Sequence, residues 1–269
     1  MRKLLSLLLA ACALMVVTTA CGDDDDNPIN RGERTITVDV VDHVVAPDGK
    51  VAMQANQLAY TFNLTDLTGG VKLTPTLGGT QQTFNVSGLK LTSVGTNQYR
   101  LSANNMGGLT SMVGYLNFNE VSVRFTYEAN GYKVVSTIPE VFSLKTRTEV
   151  AYDTIPAQTS DDVIYQFDLD PEHMSAEVEI KAFPDLERKR MLAIESLTDA
   201  DVTTTKDGYD ITATQLKTTA TYPVNGGTAK TDSYVITDLK AHLDLYENTL
   251  TLTCGLGSYK ITVTGTLSN

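Results

Sequence analysis

The chain has 269 residues with 21 basic and 32 acidic side chains, a formal net charge of −11, and enough length for two modest domains or one large one. This acidity argues against nucleic acid and anionic lipid head groups as partners. Tryptophan is absent and aromatic residues make up 7% of the chain, a composition unlike that of surfaces that bind sugars through exposed aromatic rings.

The first element along the chain is an apolar segment that follows two positive charges. Arg2 and Lys3 precede the segment from Leu4 to Val17, which is apolar except for Ser6. This length is typical of the hydrophobic region of a secretory signal peptide and is shorter than the about 20 apolar residues that a membrane-spanning helix needs. We therefore predict that residues 1–20 are a signal peptide.

Two cysteines compete for the position of cleavage and lipidation at the end of this segment. Leu9-Ala10-Ala11-Cys12 matches the usual lipobox, an aliphatic residue and two small residues before a cysteine, better than Thr18-Thr19-Ala20-Cys21 does. Cleavage before Cys12 leaves an apolar mature N-terminus, whereas cleavage before Cys21 removes the whole apolar segment. The anatomy of signal peptides favours Cys21 as the lipidated residue, although Thr18 departs from the aliphatic pattern.

An acidic run follows directly, in the sequence Cys21-Gly22-Asp23-Asp24-Asp25-Asp26. This junction resembles lipoproteins of the Bacteroidota, in which an acidic run after the lipidated cysteine is an export signal to the outer face of the outer membrane. The resemblance implies a lipid-anchored protein of the outer membrane that faces the cell exterior. Because like charges repel, residues 21–33 are predicted to form an extended, disordered acidic tether.

The mature chain has no cysteine pair for an intramolecular disulfide. Removal of residues 1–20 leaves Cys21 and Cys254 and gives a net charge of −13, from 19 basic and 32 acidic residues. With Cys21 lipidated, stability must come from burial rather than from cross-links. Cys254 continues the apolar face of Leu250 and Leu252, which predicts a buried core thiol rather than a nucleophile.

From Arg34 onward the chain alternates apolar and polar residues with a period of two, as in Thr249-Leu250-Thr251-Leu252-Thr253-Cys254. This alternation, rich in β-branched residues and interrupted by turn sequences such as Pro47-Asp48-Gly49 and Asn130-Gly131, predicts an all-β protein. The one segment with a helix-like composition is Asp185 to Leu197. We predict that its end, Leu192-Ala193-Ile194, is a strand because it matches a strand elsewhere in the chain.

Five pairs of segments suggest that the chain contains two copies of one β fold. The matched segments are Tyr60–Leu64 with Tyr165–Leu169, Val71–Thr74 with Val178–Lys181, Phe84–Leu89 with Leu192–Leu197, Tyr99–Ala103 with Tyr209–Ala213, and Tyr127-Glu128 with Tyr246-Glu247. Their order is the same in both halves, although chance similarity among alternating strands remains the alternative. We predict two tandem antiparallel lobes, 34–144 and 145–269, each a β-sandwich or small β-barrel.

Sequence motifs for catalysis are absent: there is no Gly-x-Ser-x-Gly, no His-Glu-x-x-His and no glycine-rich phosphate loop. The sequence therefore predicts neither an enzyme nor a bound cofactor, although a triad built from distant residues stays open. Asp168, Asp170 and Glu172 are candidate calcium ligands, but calcium needs about six to eight oxygens, and an exposed strand face is the simpler interpretation. His242 shares the polar face of its strand with Lys240 and Asp244 and is predicted to be solvated.

These observations favour a non-enzymatic, surface-exposed lipoprotein that acts as a binding, adhesion or accessory module. Its partner beyond the membrane is an unidentified protein, glycan or small apolar ligand. One alternative is a carrier of a small apolar ligand in a lipocalin-like barrel. Another is a fimbrial-type subunit or anchor, by fold-level analogy with two-lobed β proteins of the Bacteroidota. A hydrolase with scattered residues is the least favoured.

Overall fold

The computed structural model describes residues 33–119, 122–153, 155–224 and 227–267. Within these ranges the chain forms strands and turns and no helix, which confirms the predicted all-β class. Accordingly, the described part of the chain contains no helical segment capable of crossing a membrane. The predicted signal peptide, Cys21 and the acidic run Asp23 to Asp26 lie outside the described residues.

Residues 34–137 form one antiparallel sheet of nine strands, here called the N-terminal sheet. Its strands are β1 (Arg34–Val45), β2 (Val51–Asn63), β3 (Thr68–Leu73), β6 (Phe84–Lys90), β7 (Thr92–Gly95), β8 (Gln98–Met106), β9 (Leu109–Asn117), β10 (Ser122–Ala129) and β11 (Tyr132–Thr137). A separate small hairpin between β3 and β6 consists of β4 (Thr76–Leu77) and β5 (Thr80–Gln81).

Residues 140–267 form a second antiparallel sheet of ten strands, here called the C-terminal sheet. Its strands are β12 (Glu140–Tyr152), β13 (Ile155–Ser160), β14 (Ile164–Asp170), β15 (Ser175–Asp185), β16 (Arg190–Ser196), β17 (Ala200–Thr204), β18 (Gly208–Tyr222), β19 (Lys230–Asp244), β20 (Thr249–Leu256) and β21 (Tyr259–Leu267). The segment with a helix-like composition is thus a hairpin between β15 and β16, and Leu192-Ala193-Ile194 is a strand as predicted.

The C-terminal sheet closes on itself because β12 pairs on one side with β14 and on the other side with β21. The resulting ring is β12-β14-β15-β16-β18-β19-β20-β21. Strand β17 also pairs with both β15 and β18, which encloses a smaller ring of four strands. A closed ring leaves few unpaired strand edges, and this limits edge-to-edge association with other chains.

The N-terminal sheet has a similar strand order but does not close into a ring. Its order is β6-β3-β2-β1-β11-β10-β9-β8-β7, so β1 pairs with the last strand as β12 does in the other sheet. Strands β6 and β8 are neighbours without a ladder, whereas their counterparts β16 and β18 pair from Ala193–Thr221 to Ser196–Thr218. The reason is length: β8 has nine residues and β18 has fifteen, and the additional residues of β18 supply that pairing.

Two apolar cores follow from the alternation of the strands, but they are not separate. The C-terminal core includes Val41, Met53 and Val135, all three contributed by the N-terminal sheet. Strand β1 is therefore buried on both faces, with Val40 and Val44 in the N-terminal core and Val41 in the C-terminal one. Contact between the two sheets is part of the hydrophobic core of the protein.

The burial of the matched residues agrees with the predicted duplication. Phe62 and Phe167 are both buried, as two copies of one fold require, and the same holds for the pairs Val86 with Ile194 and Leu101 with Ile211. The fifth match fails, because Tyr127 is fully buried within β10 whereas Tyr246 is part of the turn between β19 and β20 and is 37% exposed. The tandem two-lobe arrangement stays a prediction; the observed change of sheet occurs between Thr137 and Glu140.

Candidate functional site at the junction of the two sheets

The carboxylates singled out in the sequence have separate surroundings. Asp168 lies opposite Glu140 and Glu177 in the C-terminal sheet. Asp170 instead caps a turn: its Oδ1 accepts hydrogen bonds from the backbone N–H groups of Glu172 and His173, and its Oδ2 is 2.9 Å from His173 Nδ1. Within the described residues, Asp168, Asp170 and Glu172 do not form a set at metal-ligand spacing.

A different group of polar residues gathers where the two sheets meet, and His43 is its central member. His43 on β1 is fully buried, and its Nε2 is 2.8 Å from the carbonyl oxygen of Thr205, so Nε2–H donates across the junction. This hydrogen bond leaves Nδ1 as an acceptor, and Nδ1 has no hydrogen-bond partner among the described residues. Burial lowers the pKa of His43, because the charged imidazolium loses its hydration there.

Two tyrosines of the C-terminal sheet enclose the His43 ring. Tyr209 meets it edge-on with ring centroids 5.5 Å apart, and Tyr246 does so at 6.0 Å. The Tyr209 hydroxyl is buried and makes no hydrogen bond to the described residues. Burial, followed by the negative charge of Asp42, raises the pKa of Tyr209 far above its ordinary value, which keeps the phenol neutral.

Asp42, next to His43 on β1, points to the opposite side of the strand. Its carboxylate accepts hydrogen bonds from Ser136 Oγ at 2.5 Å and Asn56 Nδ2 at 2.7 Å, and Thr74 donates in turn to Asn56 Oδ1. Burial raises the pKa of Asp42, although both hydrogen bonds oppose that shift. This network supplies partners for a carboxyl group that would otherwise be costly to bury.

A second set of ionisable residues lies at the junction, on β18, on β19 and in the turn before β18. His242 Nδ1 is 2.7 Å from Asp210 Oδ1, and His242 Nε2 is 3.8 Å from Asp207 Oδ2. One ligand atom each from Asp207, His242 and Asp244 lies within 4.8 Å of the other two. Two carboxylates and an imidazole at this spacing could hold a divalent metal ion.

Strand pairing explains how these residues meet. In the register of β18 and β19, Asp210 lies opposite His242 and Gly208 lies opposite Asp244. A side chain at position 208 would place its Cβ only 1.8 Å from the carbonyl oxygen of Leu243, so the close approach of the two strands requires glycine there.

An open cleft of 380 Å³ lies next to this group. Residues from both sheets line it: Val45, Ala46, Pro47, Gly131 and Lys133 from the N-terminal sheet and its turns, and Lys206 and Tyr246 from the C-terminal side. A second connection across the junction joins the guanidinium of Arg124 to the side-chain oxygen of Asn248. The junction therefore combines an apolar contact, a surface cleft and buried polar groups, the kind of place where binding sites between structural units occur.

Sequence reasoning missed this site for two reasons. First, His43 lies in the segment Val40-Val41-Asp42-His43-Val44, whose consecutive residues are buried because β1 is covered on both faces. The local sequence does not show which sheet covers the second face. The prediction that His242 is solvated holds in part, since its side chain is 35% exposed. Second, the contacts of His242 with Asp210 and Asp207 depend on the register of β18 with β19 and on the turn before β18, and the alternation of the sequence specifies neither.

Cys254 is buried within the C-terminal core, as the sequence predicts. Burial raises the pKa of its thiol to about 12, so the nucleophilic thiolate is not populated at neutral pH.

Comparison with known proteins does not assign this arrangement to a class. No protein-family model matches the chain, and neither a curated protein nor a solved structure does. What the fold defines is an all-β protein of two connected sheets with a polar junction.

Proposed function

We propose that this protein is a surface lipoprotein, held at the outer membrane by acyl chains on Cys21, that acts as a non-enzymatic binding, adhesion or accessory module. The observation on which the proposal rests is the apolar segment Leu4 to Val17, which is followed by Thr18-Thr19-Ala20-Cys21 and, after Gly22, by the acidic run Asp23 to Asp26. Two acyl chains on the N-terminal cysteine would make the membrane attachment stable, whereas a single chain binds only marginally.

The large side chains buried in the C-terminal core support binding at the outer surface over transport of a ligand inside a barrel. In the C-terminal core the fully buried side chains include Tyr165, Phe167, Phe183 and Tyr209. Eight-stranded barrels have interiors that side chains can fill, and a carrier of the lipocalin type needs that space for its ligand. A module with filled cores presents its strand faces, its turns and the junction cleft to a partner.

The proposal is tested by metabolic labelling with an acyl-chain analogue in cells that express the full chain. Replacement of Cys21 by Ala should abolish labelling and leave the precursor uncleaved or the protein released from the membrane, because the thiol is the acceptor of the lipid. The matched control is Cys12→Ala, which should label and fractionate like the unchanged protein. Labelling that survives Cys21→Ala but not Cys12→Ala would contradict the assignment of the anchor.

A further inference from the structure

We propose that Asp207, His242 and Asp244 form a binding site for a transition-metal dication of the Zn²⁺ type at the junction of the two sheets. The site takes one carboxylate from the turn between β17 and β18, and a histidine and a carboxylate from alternate positions of β19. Zinc binds imidazole nitrogen and carboxylate oxygen, and three protein ligands leave a fourth position for water or a ligand group.

Distances within the group suit such an ion. Ligand atoms around tetrahedral zinc lie at about 2.0–2.2 Å from the metal, and hence roughly 3.4 Å from one another. His242 Nε2 and Asp207 Oδ2 are 3.8 Å apart, and one ligand atom from each of the three residues lies within 4.8 Å of the other two. Small rotations of two exposed or half-exposed side chains would bring the three atoms to bonding positions.

Each of the three side chains also makes a hydrogen bond that orients it. His242 Nδ1 is hydrogen-bonded to Asp210, which orients the ring with Nε2 toward Asp207. Such a carboxylate behind the histidine is the usual outer-shell partner of a metal-bound imidazole. Asp207 Oδ1 accepts a hydrogen bond from Thr205 Oγ1, and Asp244 Oδ1 accepts from the backbone N–H groups of Tyr246 and Glu247.

A buried, unpartnered nitrogen provides an observation independent of this group. His43 is fully buried, and its Nδ1 has no hydrogen-bond partner among the described residues. The His43 ring contacts Tyr246, which is two residues after Asp244. Its Nε2 contacts Thr205, two residues before Asp207, and the Asp207 charge acts on both His43 and His242. The junction thus contains, besides the three proposed ligands, a buried imidazole acceptor that the described residues leave without a hydrogen bond.

Selectivity follows from the ligand set. Calcium and magnesium prefer oxygen ligands throughout, so an imidazole in the first coordination sphere favours zinc or a neighbouring transition metal. The nearby guanidinium of Arg124, whose charge interacts with Asp244, competes for that carboxylate and should weaken the affinity without abolishing it. This inference is independent of the lipid anchor, and either proposal can fail alone.

The test is a Zn²⁺ titration of the purified full-length lipoprotein in detergent, read with a competing zinc indicator. Saturable binding of one Zn²⁺ per chain is expected, together with a rise in the melting temperature that a chelator reverses. His242→Gln and Asp207→Asn should each lower the affinity by at least about 100-fold, and Asp210→Ala by about 10–100-fold because it removes only the outer-shell partner. Co²⁺ in place of Zn²⁺ should give the visible absorption of a four-coordinate site.

Controls separate this site from nonspecific binding and from misfolding. His173→Gln removes an exposed histidine that is paired with a carboxylate elsewhere in the C-terminal sheet, and it should leave the affinity unchanged. Asp207 is 52% exposed, so Asp207→Asn should keep the metal-free melting temperature of the unchanged protein. Absence of saturable Zn²⁺ binding to the unchanged protein would overturn the proposal. A loss of Zn²⁺ affinity in His173→Gln as large as that in His242→Gln would also overturn it.

Discussion

His43 is the side chain whose environment depends most on contact between the two sheets. It lies on a strand of one sheet, donates to a backbone carbonyl of a turn in the other, and has tyrosine rings on two sides. The neighbouring side chain Asp42 faces the N-terminal core instead, because successive residues of a strand point to opposite faces. One dipeptide thus places a histidine and a carboxyl group in two different buried environments.

Protonation of His43 should make the stability of the protein depend on pH. Burial lowers the pKa of His43 from 6.5, so at acid pH the unfolded chain takes up a proton that the folded protein takes up less readily. The stabilising contribution of neutral His43 is therefore complete above pH 6.5 and is lost as the pH falls below 6.5 toward the pKa of the folded state. Denaturant unfolding of the unchanged protein and of His43→Gln between pH 8 and about pH 5 measures this effect.

His43→Gln keeps a donor for the Thr205 carbonyl but cannot be protonated. The unchanged protein should be the more stable of the two at pH 8, and its advantage should shrink as the pH falls. His173→Gln removes an exposed histidine and keeps His43, so this variant should lose stability at acid pH as the unchanged protein does. An advantage of constant size across the whole range would show that His43 does not titrate in this window.

Single turns preserve the clearest correspondence between the two halves of the chain. Asn63 Oδ1 accepts from the backbone N–H groups of Thr65 and Asp66 after β2, and Asp170 Oδ1 does the same for Glu172 and His173 after β14. Both turns end in a residue with positive φ, Leu67 at 51° and Met174 at 51°.

The next backbone contact is equivalent in the two turns as well. Leu67 O accepts from Leu91 N–H, and Met174 O accepts from Val202 N–H. These contacts align Asn63 with Asp170, and hence Phe62 with Leu169, two residues away from the match that sequence similarity suggests. A shift of two residues keeps the same face inward, so Phe62 and Phe167 are both buried although the sequence alignment that matched them is displaced.

The acidic run of the tether is the segment on which surface display depends in the proposed function. Replacement of Asp23, Asp24, Asp25 and Asp26 by Ala should keep acylation at Cys21 but leave the protein on the periplasmic side, because the resemblance to Bacteroidota lipoproteins assigns the export signal to this run. Protease added to intact cells should then digest the unchanged protein and spare the variant. If the variant is digested equally, the run is a solvated spacer and not an export signal.

Cooperativity between the two sheets is a property of the whole molecule. Val41, Met53 and Val135 are buried in the C-terminal core, and burying a side chain of this size contributes about 1.5–3 kcal/mol. His43 and Arg124 add polar contacts across the same junction. Loss of either sheet would expose these groups, so we expect the described part of the chain to unfold as one unit.

Truncation of one buried phenylalanine in each sheet tests this expectation. Phe62→Ala and Phe167→Ala should each cost about 3–5 kcal/mol, the usual penalty for emptying a buried aromatic site. Calorimetry should show one transition, displaced to lower temperature in both variants. Leu197→Ala, at a side chain that is 64% exposed, should change the stability by less than about 0.5 kcal/mol. Two transitions, of which each variant moves only its own, would establish two independent lobes.

The all-β class, the inward faces of the strands and the burial of Cys254 were predictable from the sequence, because alternation within a strand is a local property of period two. The export and anchor predictions rest on the N-terminal sequence alone. The ring of the C-terminal sheet, the missing ladder between β6 and β8, and the burial of β1 on both faces were decided by pairings between residues far apart in the chain. The Asp207, His242 and Asp244 group depends on the same long-range register, because its members come together only when β18 pairs with β19 and the turn before β18 folds over that pair.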